Sequence, residues 1–250
     1  MTSAADPKRF SREWCSRIPL MAYRKLRAQH HKRRAEKGII SYAQSGQDII
    51  VAQLLNQLGV PMTSYLDIGA NDPILLSNTY YFYRKGCRGV CIEPNPRLFR
   101  RLRRVRRRDK CLLAGVSDGA DAQALFYRMS VHTLGTFSRE EAAQYERLGY
   151  PLVEEVSIPI LTPTAVIEQY FSECPVFVSL DAEGADLAIL RTWNFTRYRP
   201  AVFCIETSDI AENRKSMVKD QSILRLMQEA GYMLYADTFI NSVFVDLKLW

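Results

Sequence analysis

The order of apolar and polar residues predicts strands that alternate with helices along most of this chain. Short apolar runs are typical of buried strands, and the segments between them have apolar residues at helical spacing. The predicted strands are residues 65–68, 89–93, 111–116, 156–160, 176–180 and 201–206, with a hairpin-like piece at 118–129 and a last pair at 232–237 and 242–247. The predicted helices are residues 46–58, 77–85, 96–108, 139–148, 162–171, 185–193 and 221–230. This alternation predicts an α/β fold with a mostly parallel sheet, helices on both faces and an antiparallel C-terminal strand.

The composition changes after residue 38. Residues 1–38 are rich in Arg, Lys, Ala and Gln, which predicts a basic N-terminal extension that is helical over residues 12–36. Residues 39–250 contain the alternating strands and helices and are predicted to form the main domain. The hydrophobic content of 47% is normal for a globular protein with a large core.

The sequence gives little indication of a membrane span or a leader peptide. No apolar run approaches the roughly 20 residues that a spanning helix needs, and we predict no cleavable signal peptide. The six cysteines are scattered without a C-x-x-C pair, which disfavours a zinc or redox motif. We therefore expect a reduced, cytoplasmic protein, either free or peripheral at a membrane surface.

The net charge of +7 is concentrated in two segments. Residues 1–38 contain 11 Lys and Arg against 3 acids, and residues 84–110 contain 12 against 2. The remainder contains 11 against 22 and is acidic. Two basic patches on an acidic body indicate an anionic ligand or a membrane surface as partner of residues 1–38 and 97–110. The simpler interpretation of residues 97–110 is a solvated helix face, and the lack of aromatic residues between the arginines predicts no specific nucleic acid.

Five of the predicted strands end in an acidic residue. In open α/β sheets, ligands bind beyond the carboxyl ends of the strands, so these acids are expected to lie together. We call this set the acid rim, and its members are Asp67, Glu93, Asp118, Asp181 and Glu206. An acid after the second strand can accept both ribose hydroxyls of an adenosine. One after the third can accept an adenine amino group, and one in the first loop can hold a cationic group.

The loop after the first strand, "DIGANDP" (67–73), differs from a phosphate-binding loop. A pyrophosphate needs backbone N–H groups and the pattern G-x-G-x-x-G at a helix N-terminus. Here Pro73 stands where the third glycine would be, and a proline offers no N–H and does not adopt a positive φ. A cofactor with a ribose, an adenine and a cationic centre fits this loop better than NAD does. The pattern therefore indicates S-adenosyl-L-methionine.

The same residues resemble a known family, the FkbM-type S-adenosylmethionine-dependent methyltransferases. The matching pieces are "QSGQD" (44–48), "LDIGANDPILLSNTYYFYRKGCRGVCIEPNP" (66–96), "GVSD" (115–118), "LDAEGADLAIL" (180–190), "CIE" (204–206), "GY" (231–232) and "N" (241). The resemblance covers roughly residues 41–247, and the order of the pieces is more specific than any one of them. The chain departs from the usual pattern at Ala43, Cys87 and Asp186, where Ser, Trp and Glu are usual.

This resemblance implies a class I methyltransferase (Rossmann-like) fold and O-methylation of a hydroxyl on a sugar, glycan or related natural product. It implies that Glu93 holds the ribose hydroxyls, that Asp118 lies near the adenine, and that Asp181 and Glu183 face the methyl group and the acceptor. The residues expected to bind the cofactor are Asp67, Gly69, Ala70, Asn71, Glu93, Pro94, Ser117, Asp118 and Asp181.

A sugar hydroxyl is a poor nucleophile, so a general base or a metal ion would help the transfer. The candidates for the catalytic base are Asp181, Glu183, Glu206 and His132. Acids at adjacent strand ends could also hold Mg²⁺, although no residue is assigned as a metal ligand.

Other interpretations stay open. A nucleic-acid methyltransferase would explain the basic patches, but "SLDAEG" (179–184) stands where a base-flipping motif is expected. A non-catalytic binding module with the same fold would not need the acid rim. Each rim acid also has a local explanation as a helix cap or turn residue, and His132 has one as a surface histidine.

Overall fold

The computed structural model describes residues 38–119, 122–182, 184–208 and 219–250 of the 250-residue chain. Residues Ser41–Trp250 form one compact unit. The predicted helix over residues 12–36 and the candidate base Glu183 lie outside the described residues. The boundary placed after residue 38 stays a prediction.

The described residues contain a central sheet and a smaller one. The strands, in chain order, are β1 Ser64–Ile68, β2 Arg88–Ile92, β3 Lys110–Leu112, β4 Gly115–Val116, β5 Gln123–Met129, β6 Leu152–Leu161, β7 Phe177–Leu180, β8 Val202–Glu206, β9 Tyr232–Asp237 and β10 Asn241–Asp246. The central sheet has the order β3-β2-β1-β7-β8-β10-β9. Neighbouring strands from β3 to β8 are parallel, and β10 is antiparallel to both β8 and β9. The predicted fold class is confirmed.

Helices cover both faces of the central sheet. They are α1 Gln47–Gln57, α2 Tyr80–Arg84, α3 Pro96–Val105, α4 Arg139–Arg147, α5 Pro163–Tyr170, α6 Asp186–Thr192 and α7 Gln221–Glu229. Successive residues of a strand point to opposite faces. Tyr65 of β1 accordingly packs with buried residues of α1, α2 and α3, whereas Leu66 packs with those of α5, α6 and α7. Two separate apolar layers therefore hold the sheet in place.

One predicted strand is wrong. Residues 111–116 do not form one strand, because the chain leaves the central sheet after Leu112 and re-enters strand structure at Gly115. There it pairs with β6, which is also antiparallel to β5, so that β4, β6 and β5 form the smaller sheet. A Cβ at Gly115 would lie 2.5 Å from the ring of Phe137 and 2.8 Å from Ile160, so these two side chains pack closely over the glycine.

Candidate functional site

Four members of the acid rim meet at the carboxyl edge of the central sheet. Asp67 belongs to β1 and Glu206 to β8, while Glu93 and Asp181 directly follow β2 and β7. Because the order β2-β1-β7-β8 places these strands side by side, the four carboxyl groups share one edge. This is the position at which open α/β sheets bind their ligands.

Two adjoining spaces open at this edge. The first, which we call the apolar cavity, has about 560 Å³ of empty space and contains Glu93 and Pro94 among apolar walls, which are Ile68, Ile92, Ala114, Val116, Phe126 and Phe137. The second, which we call the open cleft, has about 1320 Å³ and contains Asp67 and Glu206. Residues that line both spaces are Gly69, Asn71, His132 and Asp181. The arrangement offers one compartment lined mainly by apolar residues beside one lined mainly by polar residues.

Gly69 allows the first loop to pass across the end of β7. Its φ is 77°, and a Cβ there would lie 1.8 Å from the carbonyl oxygen of Asp181. The N–H groups of Gly69 and Ala70 both donate to the carbonyl of Ile92 at 3.0 Å. The loop is therefore fixed to β2 on one side and touches the chain after β7 on the other.

Glu93 is held by two backbone donors. The N–H of Asn71 donates to its Oε2 at 2.7 Å, and the N–H of Asn95 donates to its Oε1 at 2.7 Å. Burial raises the pKa of Glu93 to about 7. Each carboxylate oxygen can accept more than one hydrogen bond. Glu93 therefore retains capacity to bind hydroxyl groups from within the apolar cavity.

The Asp72-Pro73 segment forms a turn. Asp72 Oδ1 accepts from the N–H groups of Ile74 and Leu75 at 2.9 Å, and Asp72 also pairs with Arg101. The carbonyl of Pro73 accepts from Arg106 Nε at 2.9 Å. The missing N–H of Pro73 is not needed in this turn, so the loop is built differently from a phosphate loop and remains well anchored.

Asp67 is buried beneath the open cleft and is linked to a buried arginine. Thr79 Oγ1 donates to Asp67 Oδ2 at 2.5 Å, and Arg106 Nη2 donates to the same hydroxyl at 2.9 Å. Burial raises the pKa of Asp67 to about 6, while the positive charge of Arg106 opposes this rise. Arg106 comes from the basic segment that we interpreted as a solvated face, yet it is fully buried. The acid three residues later, Asp109, was the one sequence signal that could have indicated that Arg106 is buried.

Asp181 and Glu206 form a carboxyl pair in the open cleft. Their side chains are joined by a hydrogen bond, which partly offsets the rise in the pKa of Asp181 caused by removal from water. A hydrogen bond between two carboxyl groups requires that they share a proton. The chain after Asp181 is held by Asp186, which accepts from the N–H of Ala182 at 3.0 Å and whose pKa burial raises to about 7.

His132 lies at the junction of the two spaces. Its Nδ1 is 3.0 Å from Asn71 Oδ1, so Nδ1 is the donor in this contact because an amide oxygen only accepts. The imidazole is exposed and belongs to a short 3₁₀ turn, His132–Leu134. His132 therefore lines both spaces together with Asp181, and its ring is exposed, as the alternative of a surface histidine also predicts.

Ser117 and Asp118 follow a strand of the smaller sheet, and their predicted contact with the cofactor stays a prediction. Both follow β4, and the N–H of Ser117 donates to Leu161 at 3.1 Å in the smaller sheet. Neither residue lines the apolar cavity or the open cleft. The departure of the chain from the central sheet after Leu112 explains this, and the wall where Asp118 was expected is formed by Ala114, Gly115 and Val116.

Asn241 supplies a polar atom that sequence reasoning did not assign to the site. It lines the open cleft and is 5% exposed. Its Oδ1 is buried and has no hydrogen-bond partner among the described residues. A buried acceptor without a partner is costly, so this atom fits a site that is completed by a polar ligand.

The described ranges contain no group of three or more His, Cys, Asp or Glu placed to hold a metal ion. Glu183, two residues after Asp181, lies outside those ranges. In the same ranges, no helix has the length and apolar character needed to cross a membrane.

Several solved structures are similar to this chain at low sequence identity. A protein from Corynebacterium glutamicum, a TehB-like SAM-dependent methyltransferase, shows 11% identity and a TM-score of 0.40 over 90% of this chain and 99% of its own. An O-methyltransferase from Bacillus cereus, solved with SAH, shows 14% identity and a TM-score of 0.41 over 93% of this chain and 94% of its own. The 1,6-didemethyltoxoflavin-N1-methyltransferase of Burkholderia thailandensis shows 13% identity and a TM-score of 0.37 over 98% of this chain and 91% of its own. These likenesses say nothing about the acceptor.

No curated protein sequence matches this chain. The family model described as the methyltransferase FkbM domain matches residues 67–234. This match includes all four rim acids at the sheet edge, the apolar cavity and most of the open cleft. The chain therefore belongs to the FkbM-type, S-adenosyl-L-methionine-dependent methyltransferases.

Proposed function

We propose that the protein transfers a methyl group to a hydroxyl of a sugar, glycan or related natural product. The observation that supports this most directly is the hydrogen-bonded pair of Asp181 and Glu206 in the open cleft. A pair that shares one proton still has a negative charge and can accept another proton. It is therefore suited to take the proton of an acceptor hydroxyl as its oxygen is methylated.

The described lining of the cleft favours a neutral acceptor. It contains carboxylates, amides and hydroxyls, but no Lys or Arg. The neighbouring cavity, which Glu206 also lines, contains Glu141, Asp186 and Asp220 and again no Lys or Arg among the described residues. An acceptor with phosphate or carboxylate groups would be repelled here, whereas a polyhydroxyl compound could donate to these oxygens.

The apolar cavity and the first loop are the proposed cofactor site. Glu93 would accept the ribose hydroxyls, the apolar wall would pack against the adenine, and Gly69 to Asn71 would follow the amino-acid part. When bound, S-adenosyl-L-methionine supplies a methyl group that is already electrophilic on a sulfonium. The chain's own task is then to hold the acceptor oxygen near that methyl group and to remove its proton.

His132 and Asn241 are proposed to orient the acceptor. Both residues line the cleft, and Oδ1 of Asn241 has no hydrogen-bond partner among the described residues. With the proton of the neutral imidazole on Nδ1, Nε2 accepts a hydrogen bond, and the amide oxygen of Asn241 also only accepts. Together they favour an acceptor with hydroxyl groups next to the reacting one.

The test is Glu206→Gln, with methylation of a panel of mono- and oligosaccharides measured by formation of S-adenosylhomocysteine. Gln can still hydrogen-bond to Asp181 but cannot accept the proton, so we expect kcat to fall by about 10²–10⁴-fold. Binding of S-adenosylhomocysteine should stay within about threefold.

Glu229→Gln, which changes an exposed acid on α7, is the matched control and should leave kcat unchanged. Unaltered kcat in Glu206→Gln would contradict the role of the carboxyl pair. Transfer to amines or nucleic acid, with none of the sugars methylated, would contradict the proposed acceptor class.

A further inference from the structure

Helix α3 has one buried and one exposed face. Leu98 and Leu102 are buried against the sheet. The exposed face contains four arginines at the spacing i, i+3, i+4 and i+7, of which the last lies in the turn after the helix. We call them the arginine stripe: Arg100, Arg103, Arg104 and Arg107. These four side chains alone line a surface pocket with about 640 Å³ of empty space.

The stripe differs from the other arginines of the same segment. Arg101 pairs with Asp72, Arg106 pairs with Asp109, and Arg108 donates to the carbonyl of Tyr83. No member of the stripe forms an ion pair with an acid in the described parts of the chain. Asp109 cannot neutralise it, because the Asp109 carboxylate is fully buried and directed at Arg106 and Tyr65. Four positive charges therefore stand together without a counter-charge from the described residues.

Guanidinium groups are matched to phosphate. Each has a planar fork of N–H donors that can bind two oxygens of one phosphate, and arginine stays charged at any physiological pH. Four of them in one pocket fit a surface with several phosphate groups close together. Phe99 is half-buried and packs against Arg103, so no aromatic ring is free among the stripe for stacking on bases.

The stripe follows the course of α3 from one edge of the sheet toward the other. Helix α3 connects the carboxyl end of β2 to the amino end of β3, and these two strands are parallel. Its second half therefore approaches the amino edge of the sheet. Other exposed cations belong to this edge, since Lys85 follows α2 and Arg88 and Lys110 begin β2 and β3. An anionic surface would attract this edge and repel the acidic one.

We propose that the arginine stripe docks the protein on the phosphate groups of an anionic lipid bilayer, with the open cleft directed away from the headgroups. The stripe has no exposed apolar side chain between its charges, so it binds headgroups without insertion. The contact is electrostatic and weakens as salt concentration rises. It is independent of the acceptor that the cleft takes.

The experiment is co-sedimentation of the full chain with vesicles of phosphatidylcholine alone or with about 30% phosphatidylglycerol, at low and physiological salt. The stripe variant changes all four arginines to Gln. A matched variant removes four exposed charges elsewhere, through Arg147→Gln, Arg191→Gln, Arg225→Gln and Lys248→Gln. Binding of S-adenosylhomocysteine by each variant shows that its fold is retained.

We expect the parent to bind anionic but not neutral vesicles. The stripe variant should bind at least tenfold more weakly, and the matched variant within about threefold of the parent. Equal loss in both variants, or none in the stripe variant, would overturn the proposal, because general charge or residues 1–38 would then account for binding. A parent that binds a 20-nucleotide RNA more tightly than anionic vesicles would replace the lipid with a nucleic acid.

Discussion

Gly69 is the residue on which the shape of the first loop depends most. Its positive φ lets Ala70 and Asn71 turn back toward Glu93, and its missing side chain leaves room for the carbonyl of Asp181. Both properties are needed at once, because the loop must turn and must also touch the chain after β7. The site therefore depends on one backbone position as much as on its acids.

Replacing Gly69 with Ala should disturb the loop and the cofactor site together. The new Cβ would lie 1.8 Å from a backbone oxygen, so the loop has to move away from Asp181. We expect at least a tenfold loss of affinity for S-adenosylhomocysteine, together with a loss of stability larger than the ~1 kcal/mol that a positive φ alone costs. Calorimetry and urea denaturation measure the two effects.

The variant Gly59→Ala is the control that distinguishes the cost of a positive φ from the cost of a close contact. Gly59 has a φ of 68°, but a Cβ there would meet nothing within 4 Å. It should lose about 1 kcal/mol of stability and keep full cofactor affinity. If both variants lost the same stability and neither lost affinity, the close approach of Gly69 to Asp181 would not matter for binding.

Among the elements, the turn after α3 connects the helix to the site loop. Arg106 is fully buried and donates to Asp109, Ser77 and Thr79, so the end of this helix supports the loop that follows Asp67. A buried charge is stable only when a group of opposite charge and hydrogen bonds replace its contacts with water. The turn is therefore an internal support for the site, although its neighbours in sequence face solvent.

Arg106→Met should destabilise the protein strongly. It leaves the Asp109 carboxylate buried without its cation, which we expect to lower the free energy of unfolding by about 3–5 kcal/mol in urea denaturation. The neighbouring Arg107→Met changes an exposed side chain and should stay within about 0.5 kcal/mol.

Adding Asp109→Leu to Arg106→Met should recover part of the loss, because no buried charge is then left alone. Similar stabilities for Arg106→Met and Arg107→Met would show that the buried ion pair does not support the fold.

Most helices and strands could be predicted because their apolar residues repeat at the period of the element. The helix at 163–170 begins as expected at Thr162, whose hydroxyl accepts from the N–H of Ala165 at 3.1 Å. The final two strands also match their predicted ranges within one residue. Local periodicity suffices where the chain stays in one sheet.

The wrong predictions concern residues whose structural partners are distant in sequence. The run at 111–116 has the composition of one strand, but its second half pairs with β6, more than 40 residues later in the chain. Asp118 therefore follows a strand of the smaller sheet, whereas the other rim acids belong to or follow strands of the central one. Arg106 resembled its exposed neighbours, because its partners Ser77 and Thr79 lie 29 and 27 residues away. Neither outcome follows from spacing alone.

On the scale of the whole molecule, the charges are separated by the sheet. Four members of the acid rim occupy the carboxyl edge, and the arginine stripe lies along α3, which runs toward the opposite one. The first edge suits a cofactor with a cationic centre and a neutral acceptor, whereas the second suits phosphate. The separation lets a protein of net charge +7 keep an acidic cleft.

The most direct test is a calorimetric titration of the full chain with S-adenosylhomocysteine, with NADH as comparison, at pH 6 and pH 8. Glu93→Gln is the variant. The ionised carboxylate of Glu93 accepts ribose hydroxyls better than its protonated form, and its pKa is about 7. Affinity of the parent should therefore rise as pH rises through this value.

We predict micromolar binding of S-adenosylhomocysteine that is tighter at pH 8, no binding of NADH, and loss of both affinity and most of its pH dependence in Glu93→Gln. A folded chain that does not bind S-adenosylhomocysteine, or a Glu93→Gln variant that binds it as well as the parent at both pH values, would contradict the site described above.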